Sequence, residues 1–325
     1  MADMGGMNSV WGSTHLERAE VWSTMLKESM EDDLFGSQYV NWLTEFPDGD
    51  TFKISSVGDL VVDEMAESVP LPERRPDTGQ FTFQITEFEG VKVPFTDKFV
   101  EDDFLANAAL AKMPDRMRKA LDQSVEGKIF ALQSQQVAAD LNSINGHAHR
   151  WVAGGTAPVT GAIRVEDFAR AKLSLQKANN NLTGLVAIVD ATTAYILETL
   201  TNLVNVSNNP MWDGIVASGI TDSTGLRFVR NVYGFDVYTS NYLTTVGAET
   251  IDGVVGDGYI ANQFFSASDS EMLPYMGAWR RMPKVASWRD EDKETEYYQL
   301  SARYGLKLYR PENLITVLSN TDIFA

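Results

Sequence analysis

The chain has no cysteine, and that absence alone excludes disulfides and thiolate metal sites. Histidine is nearly as scarce: His15, His147 and His149 are the whole supply. Positive charge is also short, with 27 Lys and Arg against 45 Asp and Glu, a net charge of -18. The isoelectric point is near 4.5. So acidic a surface repels polyphosphate, which disfavours sequence-independent DNA binding by the folded chain. No apolar run approaches the roughly 20 residues that cross a bilayer. Residues 1–11 carry no basic stretch leading into an apolar one, so neither a membrane span nor a secretory signal is expected.

What is present is ordinary for a packed protein: 325 residues, 44% hydrophobic and 22% charged, with no internal repeat. That length supports one large domain or two moderate ones around a real core. Residues 1–45 begin with a Gly/Met/Ser-rich tip and continue as an amphipathic stretch (Leu16, Val21, Trp22, Met25, Leu26) too poorly furnished to form its own core. After the turn signal Asp48-Gly49-Asp50, residues 51–62 read as extended chain. Pro70, Pro72 and Pro76 then form a stiff bend. Beyond it Phe81, Phe83 and Ile85 alternate with polar residues, as do Val91, Val93 and Phe95, the period of half-buried strands. The reading is a long hairpin with a proline-rich tip and little of its own chain to pack against.

A long helix is expected over residues 114–141, with Pro114 in its first turn and Met117, Leu121, Val125, Ile129 and Leu132 as its apolar stripe. A shorter helix over 102–112 precedes it. Residues 165–178 read as a helix with Glu166 and Asp167 at its positive end. Leu185 to Val189 reads as a buried central strand, and Asp190 as an N-cap for a helix over 192–204. Strands are expected over 227–238 with a break at Gly234, from Phe264, over 295–302, over 306–309 after a turn at Tyr304-Gly305, and over 314–318. The class is α+β.

Chemistry-bearing clusters are few. His147-Ala148-His149 lies in a Gly-flanked loop without a carboxylate at ligand spacing, and reads as a surface pair. No Gly-x-Ser-x-Gly elbow supports a triad. Gly253, Gly256 and Gly258 are in the wrong order for a dinucleotide fingerprint, and no Gly-Lys-Ser/Thr follows them. The acidic runs Glu101-Asp102-Asp103 and Asp290-Glu291-Asp292 sit in wet, charged stretches, where a raised catalytic pKa is hard to arrange. Trp279-Arg280-Arg281 and Trp288-Arg289 interleave aromatic and basic residues, as single-strand binding sites do. In an acidic chain they fit contacts between subunits better. No catalytic, metal or cofactor site is expected.

The order of elements — arm, extended hairpin, long helix, α/β region, closing strands — resembles the major capsid proteins of tailed bacteriophages, with their Hong Kong 97-type fold, which encapsulin compartments share. Local sequence agrees: residues 46–54 (Phe-Pro-Asp-Gly-Asp-Thr-Phe-Lys-Ile) look like the start of the family's extended loop. Residues 184–190 resemble the strand leading into the axial domain, 232–241 the axial segment ending in Ser240-Asn241, and 304–312 with 314–318 the closing strands of the peripheral domain. The resemblance implies an N-terminal arm (1–45), an extended loop (46–98), a spine helix and first part of the peripheral domain (99–189), an axial domain (190–285) and closing peripheral strands (286–325). It implies a non-enzymatic shell subunit with no cofactor, forming pentamers and hexamers around double-stranded DNA without specific binding or a membrane. A separate scaffolding protein and a portal are implied for assembly in the host bacterial cytoplasm, because residues 1–45 are too short for a fused scaffolding domain. Decoration or cement proteins are left open. Residues implied to touch neighbouring subunits are Trp11, Trp22, Val69, Leu71, Arg74, Arg75, Phe81, Phe83, Trp279, Arg280, Arg281, Trp288 and Arg289. No Lys lies between Lys53 and Lys92, so a shell without isopeptide cross-links is expected. The alternatives are an encapsulin-like compartment and, from another class, an acidic hydrolase using a carboxylate pair.

Overall fold

The computed structural model describes residues 34–43, 51–58, 62–65, 67, 73, 78–102, 106–137, 142–154, 161–199, 228–251 and 253–320. In chain order the strands and helices are β1 (Val40–Leu43), β2 (Thr51–Val57), β3 (Thr78–Gln84), β4 (Glu87–Thr96), α1 (Asp97–Asp102), α2 (Ala106–Ala131), β5 (Ser143–Ile144), β6 (His147–Ala148), β7 (Arg150–Val152), α3 (Val165–Lys177), β8 (Leu185–Val189), α4 (Ala191–Thr199), β9 (Phe228–Val232), β10 (Phe235–Thr239), β11 (Glu249–Ile251), β12 (Val254–Gly256), β13 (Ile260–Ser266), β14 (Tyr275–Asp290), β15 (Thr295–Leu308) and β16 (Ile315–Ser319). Among the described residues no helix is long and apolar enough to cross a membrane.

Two sheets organise these elements. One has four strands in the order β1-β14-β15-β4, the other six in the order β7-β16-β13-β8-β10-β9. Helix α2 joins them. Its stripe Met117, Leu121, Val125 and Ile129 is buried in one core with Leu300, Ala302 and Tyr304 of the first sheet and Val186, Ile188 and Phe265 of the second. Side chains four apart on a helix share a face, so the repeat in the sequence becomes the seam between the sheets. A second core lies on the other side of the six-stranded sheet, where Phe168, Ala171 and Leu175 of α3 meet Ala187, Phe235, Phe264 and Val317. Phe168, Phe235 and Phe264 pack edge to face, with centroids 5.0–6.1 Å apart.

The 3-10 turn after α2 (Leu132–Val137) is held by buried amides. Gln136 Nε2 donates to the Leu314 carbonyl at 2.5 Å, Thr316 Oγ1 donates to Gln136 Oε1 at 2.7 Å, and Arg150 Nη1 donates to Gln133 Oε1 at 2.5 Å. Each of these buried side chains thus meets a partner, which its burial demands.

The folded chain departs from several expectations. Helix α2 begins eight residues before Pro114, which lies inside it. The run Ala106-Asn-Ala-Ala-Leu-Ala111 is strongly helix-forming, and proline removes one N–H bond from the ladder without ending it. Strands β2 and β3 do pair as the hairpin, in register from Thr51–Gln84 to Val57–Thr78. Residues 87–96, however, leave the extended loop and lie along β15 over ten residues. Residues 295–308 form one strand with no turn at Tyr304-Gly305. Gly305 is there because the β3–β4 corner crosses it: a Cβ would stand 2.5 Å from the Gln84 carbonyl oxygen. Residues 315–319 do not close the sheet of β14 and β15, but sit in the six-stranded sheet between β7 and β13. Residues 185–189 and 235–239 pair in that same sheet, so the division at 189/190 separates neighbouring strands, and the one at 285/286 falls inside β14. The loop Asn179 (φ 60) ends α3, and Asp190 Oδ2 accepts from Thr192 N at 2.9 Å at the start of α4, as the sequence reading has them.

Candidate functional site

Enzyme-like arrangements are wanting among the described residues: no three His, Asp or Glu side chains converge as a metal site would require. The ionisable groups that are buried have structural partners. Arg150, 1% exposed, donates to both Glu249 oxygens at 2.8 and 2.7 Å. Asp167 accepts from Trp151 Nε1 (3.1 Å), Gly154 N (3.3 Å) and Arg164 N (2.9 Å), so it fixes the start of α3. Burial raises its pKa, and those bonds oppose the rise. The His147–His149 pair is not a surface pair: His149 is fully buried, and its Nδ1 lies 3.0 Å from the His147 carbonyl. Burial holds its pKa below the usual value. Strand β7 follows it directly and seals the ring under β16, a tertiary effect that the polar loop sequence does not announce. Asp290 ends β14 half-buried, and Glu291 and Asp292 stand exposed in the turn to β15, with Lys293 Nζ 3.4 Å from Asp290.

The feature that stands out is the four-stranded sheet, whose two faces differ. Residues paired directly across strands share a face. On the inner face Leu300, Ala302 and Tyr304 cover α2, and Glu89 forms the hub of a polar cluster. It accepts from Ser124 Oγ (3.0 Å) and Tyr304 Oη (2.7 Å) and pairs with Lys128 (2.7 Å), which also binds Glu87. Burial raises the Glu89 pKa, but the bonds from Lys128, Tyr304 and Ser124 together outweigh it and hold the carboxyl below its usual range.

The outer face has two halves. Over Met276 and Ala278 it is roofed by the chain's own hairpin: Phe83 and Ile85 are buried there, with Phe52, Ile54 and Phe81 against them. Among the described residues no such roof covers the other half. Its rows are Phe88–Arg303–Arg281, Gly90–Ser301–Lys284, Lys92–Gln299–Ala286 and Pro94–Tyr297–Trp288. These rows hold Arg281, Arg303, Lys284 and Lys92 and no carboxylate. Lys92 Nζ sits 3.9 Å from the Tyr297 ring centre and 4.8 Å from that of Trp288, a cation–π geometry. Arg281 lies 5.2 Å over Phe88 and donates to Ser301 Oγ at 2.9 Å. Phe88 is 67% exposed and Met282 68%. Thr86, Phe88, Arg280, Arg281 and Arg303 line an open depression of ≈ 590 Å³.

The implied contact residues divide accordingly. Phe83 is fully buried in its own chain, and Phe81 packs edge-on against Tyr309 at 5.1 Å. The hairpin base therefore does find shelter on its own body, contrary to the sequence reading. Trp279 is sandwiched between Trp42 (5.0 Å, stacked) and Tyr304 (5.1 Å). Arg289 pairs with Asp97 at 2.6 Å and Glu291 at 2.9 Å, which raise its pKa. Arg280, Arg281 and Trp288 stand on the exposed stretch of β14. Trp11, Trp22, Val69, Leu71, Arg74 and Arg75 lie outside the described residues. Phe88, Lys92, Lys284 and Arg303 were missed. The signal for them is the strand alternation of 87–96, which leaves Phe88 and Lys92 on one face; the supposed turn at Tyr304 hid the place of Arg303.

The family model described as "Phage capsid protein" matches residues 79–317, from β3 to β16. No curated protein matches the chain. Among solved structures, one from Mycobacterium phage Che8 superposes with a TM-score of 0.64 at 18% identity, over 95% of this chain and 98% of that one. The capsid of cyanophage P-SCSP1u gives 0.68 at 14% identity, over 93% and 92%. The mature capsid of bacteriophage PhiM1 gives 0.64 at 10% identity, over 93% and 92%. At such identities the likeness is one of fold.

Proposed function

This chain belongs to the phage capsid protein family, and from that premise we propose that it is the major capsid subunit of a tailed bacteriophage, building the icosahedral head around double-stranded DNA. It is a structural protein. The observation that carries the reading is the extent of the match: the family model spans both sheets and the helix between them, and phage capsid chains align over nearly their whole length. The chemistry agrees, since the buried ionisable groups named above serve packing.

On this reading the chain associates as pentamers and hexamers, with a scaffolding protein and a portal guiding closure. The exposed residues Arg280, Arg281 and Trp288 are subunit contacts, and an acidic surface leaves packaged DNA unbound. The test is size-exclusion chromatography of the expressed chain followed by electron microscopy. Megadalton spheres, tubes or irregular shells are expected; a discrete small oligomer would sink the reading. The shell is held without covalent links, so denatured particles should run as a single band near 36.0 kDa; a ladder of joined subunits would contradict this.

A further inference from the structure

We infer that Asn145 is a site of spontaneous deamidation, and that the change releases the β5–β6 hairpin from the end of α3. The chemistry belongs to the folded chain itself and does not depend on the capsid reading. The turn demands the labile pair. Ser143 pairs with Ala148 and Ile144 with His147, so Asn145 and Gly146 alone make the connection. Both have positive φ, 51° and 75°, the backbone of a type I′ turn, which favours Asn-Gly over other pairs. Asn-Gly occurs once in the sequence, at this turn.

In deamidation the backbone nitrogen that follows an asparagine attacks that asparagine's side-chain amide carbon. A side chain on the attacking residue obstructs the approach, and glycine has none. Asn145 and Gly146 are both exposed, and a Cβ at 146 would meet nothing within 4 Å, so water reaches the site. The Gly146 nitrogen bonds to Cγ of Asn145 and gives up its proton, while the Cγ–Nδ2 bond breaks and ammonia leaves. Water then opens the resulting five-membered imide at either carbonyl. The product is aspartate or, with the main chain rerouted through Cγ, isoaspartate. Nothing is oxidised or reduced, and water is the only co-reactant. The bond that restrains Asn145, from Nδ2 to the Lys177 carbonyl at 3.0 Å, is itself exposed. Exposed bonds open far more often than slow chemistry requires.

That restraining bond is what the reaction removes. Lys177 is the last residue of α3, and its carbonyl is among those at a helix end that lack a partner within the helix. A carboxylate in place of the amide has no N–H to give, and its charge faces the negative end of the helix dipole. The Lys177 ammonium, in the same last turn, softens the repulsion without restoring the bond. Isoaspartate does more damage, because it adds a methylene to the main chain of a two-residue turn whose length sets the strand register. The register matters beyond the turn. The His147 carbonyl lies 3.0 Å from His149 Nδ1, and the Ala148 carbonyl accepts from Ser174 Oγ of α3 at 2.9 Å. A shifted β6 gives up both.

The test incubates the full chain folded and, in parallel, unfolded in urea, at neutral to mildly alkaline pH. Proteolytic peptides are followed by mass spectrometry, with fragment spectra separating Asn145 from Asn142. The folded chain should gain the mass difference between an amide and an acid at position 145 before any other asparagine converts. The isoaspartyl form should be methylated by a protein isoaspartate methyltransferase. Conversion at 145 in the unfolded sample alone means that the fold shields the amide, and overturns the inference. So does another asparagine of the folded chain converting first. Hydrogen exchange reads the consequence: the aged chain should lose protection at the amides of residues 143–149. Asn145→Asp should show that loss from the start. Asn145→Gly keeps a residue suited to positive φ but has no amide to lose, so its mass and its exchange pattern should not change with age. Conversion at 145 that leaves exchange unaltered, or normal protection in Asn145→Asp, overturns the release of the hairpin from α3.

Discussion

His149 shows how much one buried ring decides. Burial favours its neutral imidazole, while in the unfolded chain it protonates near the ordinary histidine value of 6.5. The unfolded state therefore binds the extra proton, and the stability contributed by the neutral ring is complete above about pH 6.5 and lost as pH falls below it. The His147 and Glu312 backbones and the Glu312 charge only partly oppose the effect, and the charge of His147 adds to it. Melting temperature measured from pH 7.5 to 5.5 should fall, and His149→Gln should flatten that slope; parallel slopes would refute the assignment. Glu89 works in a lower window. Its folded pKa lies below the ordinary glutamate value of 4.5, so its share of stability persists above pH 4.5 and fades as acid protonates it. Two glycines give opposite expectations. A Cβ on Gly127 meets nothing within 4 Å, and Gly127→Ala in mid-helix should stabilise by about 0.5–1 kcal/mol. A Cβ on Gly305 would strike the Gln84 carbonyl at 2.5 Å, so Gly305→Ala should destabilise by about 1–3 kcal/mol. Urea unfolding of the unassembled chain measures both.

Helix α2 is the element on which both sheets lean, and truncating its stripe tests that directly. Ile129 is fully buried, so Ile129→Ala should destabilise by about 2–5 kcal/mol through lost transfer energy and a residual cavity. Denaturant midpoints before assembly would show it. This stripe was plain in the sequence, because five apolar residues at helical spacing leave little choice of face. So were the all-apolar strand 185–189, α3 and the break at Gly234, each fixed by local pattern. Strand pairing was not legible. Nothing local says that 87–96 lies beside 295–304, because the partners lie far apart along the chain and register is set by packing. The glycine at 305 was misread as a turn signal because a close backbone crossing leaves the same mark. The basic half-face was half visible: Arg280, Arg281 and Trp288 showed as a motif, but Arg303, Lys284 and Lys92 join them only across three strands. The exposed stretch of β14 is itself protected from chance pairing by Pro283, Lys284 and Arg289 and by register shifts between Trp279 and Lys284, devices that keep an open strand edge from aggregating.

At the scale of the molecule, an excess of 18 negative charges makes copies repel one another, and assembly has to overcome that. The repulsion reaches about 30 Å at 0.01 M salt but only about 8 Å at 0.15 M. Light scattering should therefore show assembly slow at low ionic strength and faster as salt rises into the physiological range; acceleration on removing salt would mean that attraction between oppositely charged patches outweighs the repulsion. The two sheets share one core around α2, so the subunit should move as a unit when it meets its neighbours.

The place of β16 carries a consequence for the order of events during synthesis. It lies inside the six-stranded sheet, hydrogen-bonded to β13 on one side and β7 on the other, yet it is translated after them. While the ribosome is still making residues 267–314, β7 has no neighbour and β13 shows a raw edge. The nascent chain thus waits half-finished until this last strand slides into the gap, and only then can it become a building block.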